Sequence, residues 1–278
     1  MQRNGSVYGS KPGAISIDDL ARKIASSPTS EDLLEMETYG EAEVPILFLL
    51  DHSGSTRAPF SGAMSRWQVI VRDVMATIRA IRRNEIQSMS SCITVAVFNG
   101  DFKVLCAHVP AYELNADQLE AELLTCRPTG VTAMGKAILS TLDLLRARKE
   151  ALKAQKRRYG QGCLILFTDG QPTNEAGEVD ESTMEEAYAA VDALFEARKL
   201  TILPVGIMGE DSTPEDFSVL KRLLLCNPVL PGDKGPIPVF TDVDGIDRYF
   251  RFIDATIVKI MNGEDCRLAA REFLGYKI

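Results

Sequence analysis

Residues 44–56 read VPILFLLDHSGST, and the fold follows from how that stretch changes character. Val44, Ile46, Leu47, Phe48, Leu49 and Leu50 surround a single proline and run without a polar break into Asp51. A short apolar run bounded by turn residues is how a strand buried on both faces reads. Past Asp51 the chain becomes small and polar, with Ser53 and Ser55 at alternate positions. An aspartate at the mouth of a buried strand, with two hydroxyls just after it, offers oxygen ligands of the kind that magnesium and manganese prefer.

Working outward, the same pattern recurs. Trp67, Ile70, Val71, Val74, Ile78 and Ile81 are spaced as one face of a helix, with Arg72, Arg79, Arg82 and Arg83 mostly on other faces. CITVAVF and FKVLCA flank Asn99-Gly100-Asp101, which predicts an antiparallel hairpin. Helices are expected over 115–124 and about 133–154, then a second buried strand, GCLILFTDG, at 162–170. A helix over about 183–199 is predicted next, with Ser182 and Glu185 as its capping box, followed by a third buried strand, TILPVGI, at 201–207. A helix over 214–225, a short strand near Pro238–Thr241 and a helix over about 244–261 complete the series. Strands alternating with helices predict an α/β fold: a doubly wound, mostly parallel central sheet with one antiparallel edge strand and helices on both faces. Residues 1–43 form an N-terminal extension, polar and partly disordered at its start, with Ile17, Leu20 and Ile24 on one face of a possible short helix. The main domain is expected over 44–261 and a charged tail over 262–278.

Composition narrows the function classes. The net charge of −8 argues against a general nucleic-acid binder, which needs a basic face. Six scattered cysteines with no C-x-x-C pair, and only two histidines, argue against a structural zinc site. They read as reduced thiols in a cytoplasmic protein. No apolar stretch has the length of a signal peptide or a membrane span, so no membrane partner is expected.

In an open α/β sheet, ligands bind beyond the carboxyl ends of the strands, where strand order reverses. Three polar clusters fall at such positions: Asp51-His52-Ser53-Gly54-Ser55, Pro128-Thr129-Gly130-Val131-Thr132 and Thr168-Asp169-Gly170. The glycines Gly54 and Gly170 are expected to relieve crowding in tight turns. The acidic loop Gly209-Glu210-Asp211-Ser212 follows the third buried strand and lies on the same edge.

D-x-S-x-S after a first strand, a threonine in a small-residue loop and T-D-G after a later strand together resemble a von Willebrand factor A domain. Its metal-ion-dependent adhesion site is built from these three segments. LFLLDHSGS, TGVTAMGKAI and LFTDGQPT look most like the stand-alone bacterial proteins grouped with TerY of tellurite-resistance clusters. The resemblance implies Asp51, Ser53, Ser55, Thr132 and Asp169 as metal ligands, with Mg²⁺ or Mn²⁺ as the ion and Ca²⁺ as a third candidate. It implies a protein partner that offers an Asp or Glu to the ion. His52, Thr129, Gly170 and Glu210 would then form the partner-binding rim. The expected function is a metal-dependent protein–protein interaction module, an accessory factor in a bacterial stress-resistance (tellurite-type) or defence system, and not an enzyme.

The rival is an α/β hydrolase-like or phosphoryl-transfer enzyme using Ser53 or Ser55 with Asp169. Against it, DHSGS is not a G-x-S-x-G elbow, and no Gly-rich phosphate loop follows the first strand.

Overall fold

The computed structural model describes residues 42–61, 64–197, 199–209, 217–225, 239–240, 251–253 and 255–260. The expected N-terminal helix, the C-terminal tail and Glu210 lie outside them.

The described residues form strands β1 (Val44–Asp51), β2 (Pro59–Ser61), β3 (Met64–Ser65), β4 (Ser91–Phe98), β5 (Phe102–Pro110), β6 (Gly162–Thr168), β7 (Leu200–Ile207) and β8 (Val239–Phe240). The helices are α1 (Arg66–Arg83), α2 (Glu85–Ser90), α3 (Ala116–Thr125), α4 (Met134–Ala154), α5 (Glu181–Glu196) and α6 (Ser218–Leu225). Residues 251–253 and 255–260 are also helical. The main sheet has the order β5-β4-β1-β6-β7-β8, with β4–β5 its antiparallel pair and every other neighbouring pair parallel. The chain therefore leaves β1 toward β4 on one side and later returns to β6 on the other. That reversal puts the topological switch between β1 and β6, where such sheets open a crevice.

β1 is buried along its whole length, which is why its sequence is apolar at successive rather than alternate positions. Ile46, Phe48 and Leu50 face a core shared with α1, α3 and the helical residues 251–253 and 255–260. Leu47 and Leu49 face a second core shared with α4, α5 and α6. Each such side chain contributes about 1.5–3 kcal/mol by leaving water, so β1 is fixed from both sides.

Local signals set most of the boundaries. Ser65 starts α1 with a reciprocal capping box to Gln68, and Asn115 caps α3 through the Gln118 N–H. The expected box at Ser182 and Glu185 does not start α5. Asp180 is the cap, accepting from the Thr183 N–H at 3.1 Å, so the helix begins two residues earlier than expected. An aspartate is as good a cap as a serine and also favours the positive end of the helix dipole. The hairpin β2–β3 and the short helix α2 are additions to the expected elements. Among the described residues no helix is long and apolar enough to cross a membrane. The four described cysteines, Cys92, Cys106, Cys126 and Cys163, form no disulfide.

Candidate metal site

β1 delivers Asp51 to the crevice fully buried. Its carboxylate accepts from the Ser53 N–H at 2.9 Å through Oδ1 and from the Thr168 hydroxyl at 2.7 Å through Oδ2. Leu50 pairs with Phe167, so β1 and β6 end side by side and Thr168 meets Asp51 directly. Burial, and then the nearby charge of Asp169, push the Asp51 carboxyl up to about 7; the Thr168 and Ser53 bonds oppose the shift. Thr168 belongs to the T-D-G segment, but its role as the orienting partner of Asp51 is visible only in the fold.

After Asp51 the chain tightens into a 3-10 turn over Gly54–Arg57. Thr56 is buried, and its hydroxyl donates to the Ser53 carbonyl at 2.8 Å. The turn presents Ser53 and Ser55 on one side, their Oγ atoms 3.0 Å apart. Ser55 Oγ also donates to Asp169 Oδ1 at 2.8 Å. Ser53, Ser55 and Asp169 thus form one continuous chain of oxygens, with Asp51 bonded to the Ser53 backbone behind it.

The third segment is tied in through the backbone. Gly54 N–H donates to the Gly130 carbonyl at 3.1 Å, and Thr129 N–H to the His52 carbonyl at 3.0 Å. Asn99 holds the loop from the hairpin side: its Nδ2 donates to the Thr129 carbonyl, and its own carbonyl accepts from the Ala133 N–H. Gly130 has φ +76°, a conformation that a side chain would strain. Thr132 is buried and clamped to Thr173 by two bonds of 2.8 Å: its N–H donates to the Thr173 hydroxyl and its carbonyl accepts from the Thr173 N–H. Sequence reading missed Thr173, because nothing local marks a threonine that acts on a loop 41 residues away.

One expectation needs correction. The crowding predicted at Gly54 and Gly170 is absent: a Cβ on Gly54 would meet the Gly130 oxygen only at an ordinary contact of 3.5 Å, and one on Gly170 would meet nothing within 4 Å, whereas Gly130 holds the positive φ that favours glycine. His52 is half-buried with its ring edge-on to Trp67, centroids 4.9 Å apart. Thr129 is exposed at the mouth of the crevice, Gly170 is partly exposed, and Glu210 lies outside the described residues.

The structure adds a residue that the motifs do not contain. Arg66, the first residue of α1, is buried and donates from Nη1 to Asp169 Oδ2 at 2.9 Å. The two oxygens of Asp169 are therefore divided between Ser55 and Arg66. A cation in the first turn works against the helix dipole. That mismatch was the one sequence signal that could have marked Arg66.

Among the described residues no group of three or more His, Cys, Asp or Glu could hold a metal. A cation held at this edge by the described residues would therefore draw on hydroxyls. An octahedral ion with oxygens at ~2.1 Å sets neighbouring ligands ~3.0 Å apart. The Ser53–Ser55 and Ser55–Asp169 separations, 3.0 and 2.8 Å, match that edge, so the residues present fit a small hard cation. They fit a hydrolytic triad less well. The serine hydroxyls bond to each other and to Asp169, and the buried Nε2 of His52 meets no partner among the described residues. His108 sits on β5, bonded to Thr94.

A family model described as the von Willebrand factor type A domain matches residues 46–226. A search of curated proteins finds no match. Among solved structures the chain is similar to the PilB minor pilin of Streptococcus sanguinis, at 14% identity and a TM-score of 0.53, over 79% of this chain and 62% of the pilin. It is similar to a von Willebrand factor type A protein of Catenulispora acidiphila at 17% identity and 0.51, over 78% of this chain and 43% of the other. It is also similar to the vWF domain of the type V pili tip protein Mfa5 of Porphyromonas gingivalis, at 9% identity and 0.51, over 78% and 97%. The chain thus spans about three-fifths of the pilin, and at these identities the likeness is one of fold.

Proposed function

The chain belongs to the von Willebrand factor type A domain family, and from that premise we propose that it is a cation-dependent protein-interaction module. Domains of this family are in general interaction modules and commonly bind partners through a divalent cation. In this reading Ser53, Ser55 and Thr132 supply hydroxyl oxygens, and Asp51 and Asp169 supply carboxylates, to one Mg²⁺ or Mn²⁺ ion, with Ca²⁺ as an alternative. When bound, the ion supplies a positive, open position for an outside carboxylate from a partner's Asp or Glu. The observation that carries the reading is the oxygen chain Ser53–Ser55–Asp169 at octahedral-edge spacing. Thr168 and the Ser53 N–H hold Asp51 in place, while Thr173 fixes the loop that carries Thr132. Thr129, Gly170 and Glu210 remain our candidates for the surface around the partner. By its motifs we place the protein with the cytoplasmic TerY-like accessory factors of bacterial stress resistance. Deleting the gene in its host should then sensitise the cells to tellurite, and unchanged resistance would remove that placement.

The module reading is tested by calorimetric titration of Mg²⁺ and Mn²⁺ into the wild type and Asp51→Ala. Binding by the wild type alone is expected. Equal binding by both proteins contradicts it. Ester or nucleoside triphosphate turnover abolished by Ser53→Ala would favour the enzyme reading instead.

A further inference from the structure

We propose that Arg57 is a second anchor for the partner, so that the site takes a short acidic segment with two carboxylates, one bound by the ion and the other by the Arg57 guanidinium. This rests on the cation-site reading above. Arg57 is the last residue of the 3-10 turn that carries the two serines. Its Nε donates to the Gly54 carbonyl at 3.4 Å, and a Cβ on Gly54 would stand 3.6 Å from its Nη2. The guanidinium therefore lies over the residue between Ser53 and Ser55, at the seam where the Gly54 N–H meets the Gly130 carbonyl. Ser55, Arg57, Thr129 and Gly130 are all exposed there.

The group is also available. Arg57 forms no ion pair among the described residues, and neither of its Nη atoms has a hydrogen-bond partner among them. An arginine offers its N–H groups as a planar fork that matches a carboxylate, and such charge-assisted pairs are stronger than neutral hydrogen bonds. Charge elsewhere directs an acidic segment to this place. With a net charge of −8 the chain as a whole repels acids, so such a segment is held only where positive charge gathers. Arg127, exposed and likewise without an ion pair among the described residues, stands three residues before Gly130 and extends the positive border. Past Asp169 the chain instead enters a groove lined in part by Gln171, Pro172, Glu181 and Glu185, and both glutamates are exposed. Arg222 in that groove is bonded to Asp192 at 3.0 Å. An acidic segment is thus drawn toward Arg57 and away from α5. The ion by itself accepts any single carboxylate; Arg57 selects a partner that carries a second one beside it.

The probe is a capped pentapeptide with one glutamate at its centre, glycine elsewhere and a neutral fluorophore. A second glutamate is placed at each other position in turn, with glutamine at the same position as the uncharged control. Anisotropy titrations use the wild type, Arg57→Gln and Arg57→Glu, each in Mn²⁺ and in EDTA. In Mn²⁺ the wild type is expected to bind at least one two-glutamate peptide about three- to fivefold more tightly than its glutamine control. Arg57→Gln should bind both members of that pair equally and keep the wild-type affinity for the single-glutamate peptide. Arg57→Glu should favour the glutamine control. Equal binding of every pair by the wild type, or a preference that survives in Arg57→Gln, overturns the proposal. The cation site still stands in that case if the single-glutamate peptide binds in Mn²⁺ and not in EDTA. Single-glutamate binding that is the same in Mn²⁺ and EDTA removes both readings. If circular dichroism shows Arg57→Gln unfolded, Arg57→Glu decides alone: a reversed preference supports the proposal and an unchanged one overturns it.

Discussion

Asp51 is held by two donors that favour its charge and by a burial that opposes it. Burial and the Asp169 charge prevail, leaving the carboxyl near 7 against an ordinary value of 3.8. The sign for stability follows. Between those values the folded chain keeps a proton that the unfolded chain has lost, so raising pH through this window draws stability away. The metal-free protein is therefore expected to melt at progressively lower temperature as pH rises from about 4 to about 7. Asp51→Asn should flatten that slope, and thermal unfolding at constant ionic strength measures it. An identical slope in both proteins contradicts the assignment. At this scale the D-x-S-x-S and T-D-G residues were legible, because strand ends announce themselves by an abrupt change from apolar to small and polar. Thr168, Thr173 and Arg66 were not read as site residues, because each acts on a residue far away in sequence: 117, 41 and 103 positions respectively.

Between elements, α4 passes close to the start of α5 at Gly135. A Cβ on Gly135 would stand 2.7 Å from the Thr183 backbone carbon and 2.8 Å from its oxygen. Backbone atoms cannot swing aside as a flexible side chain can. Gly135→Ala is expected to cost about 1–3 kcal/mol in chemical denaturation, as overpacking does. A stabilised Gly135→Ala protein, as its better helix propensity alone would give, would show that the helices can separate without loss. The helices themselves were readable from their apolar spacing. Their first residues were less so: Ser182 with Glu185 looked like a cap, yet Asp180 took the role, since both offered the right oxygen and only the path of the chain from Thr173 chose between them. The parallel core strands, apolar on both faces, were the most legible elements. The two-residue strand β3 carried too little pattern to be seen.

Across the whole molecule, chemistry gathers at the carboxyl ends of the strands and anchorage at the amino ends. Just before β1, Glu43 is gripped by Arg148 of α4, Nε to Oε1 at 2.6 Å and Nη2 to Oε2 at 2.7 Å, with Arg157 at 3.2 Å. Burial works against the charge there, but the arginines outweigh it and hold the Glu43 carboxyl below its ordinary value. Removing one member of such a bidentate, largely buried pair strands the other. Glu43→Gln is expected to destabilise the fold by about 2–4 kcal/mol and to leave cation affinity unchanged. Eight residues at ~3.3 Å each separate Glu43 from Asp51, roughly 26 Å along the strand. A matching loss of cation affinity would mean that the two ends are coupled. The mostly parallel sheet with one antiparallel edge followed from alternation and from the Asn-Gly hairpin signal, whereas its strand order and this clamp were not read: a glutamate before a strand and an arginine within a helix are ordinary surface residues until the fold joins them.

The cation site is tested most directly by anomalous diffraction from crystals grown with Mn²⁺ and acetate. One manganese peak is expected in the β1–β6 crevice, at ~2.1–2.2 Å from the Ser53 and Ser55 hydroxyls, with acetate on its open side and Arg66 still on Asp169. A crevice without manganese in crystals that hold it elsewhere, or a peak ligated by neither serine, would contradict the assignment.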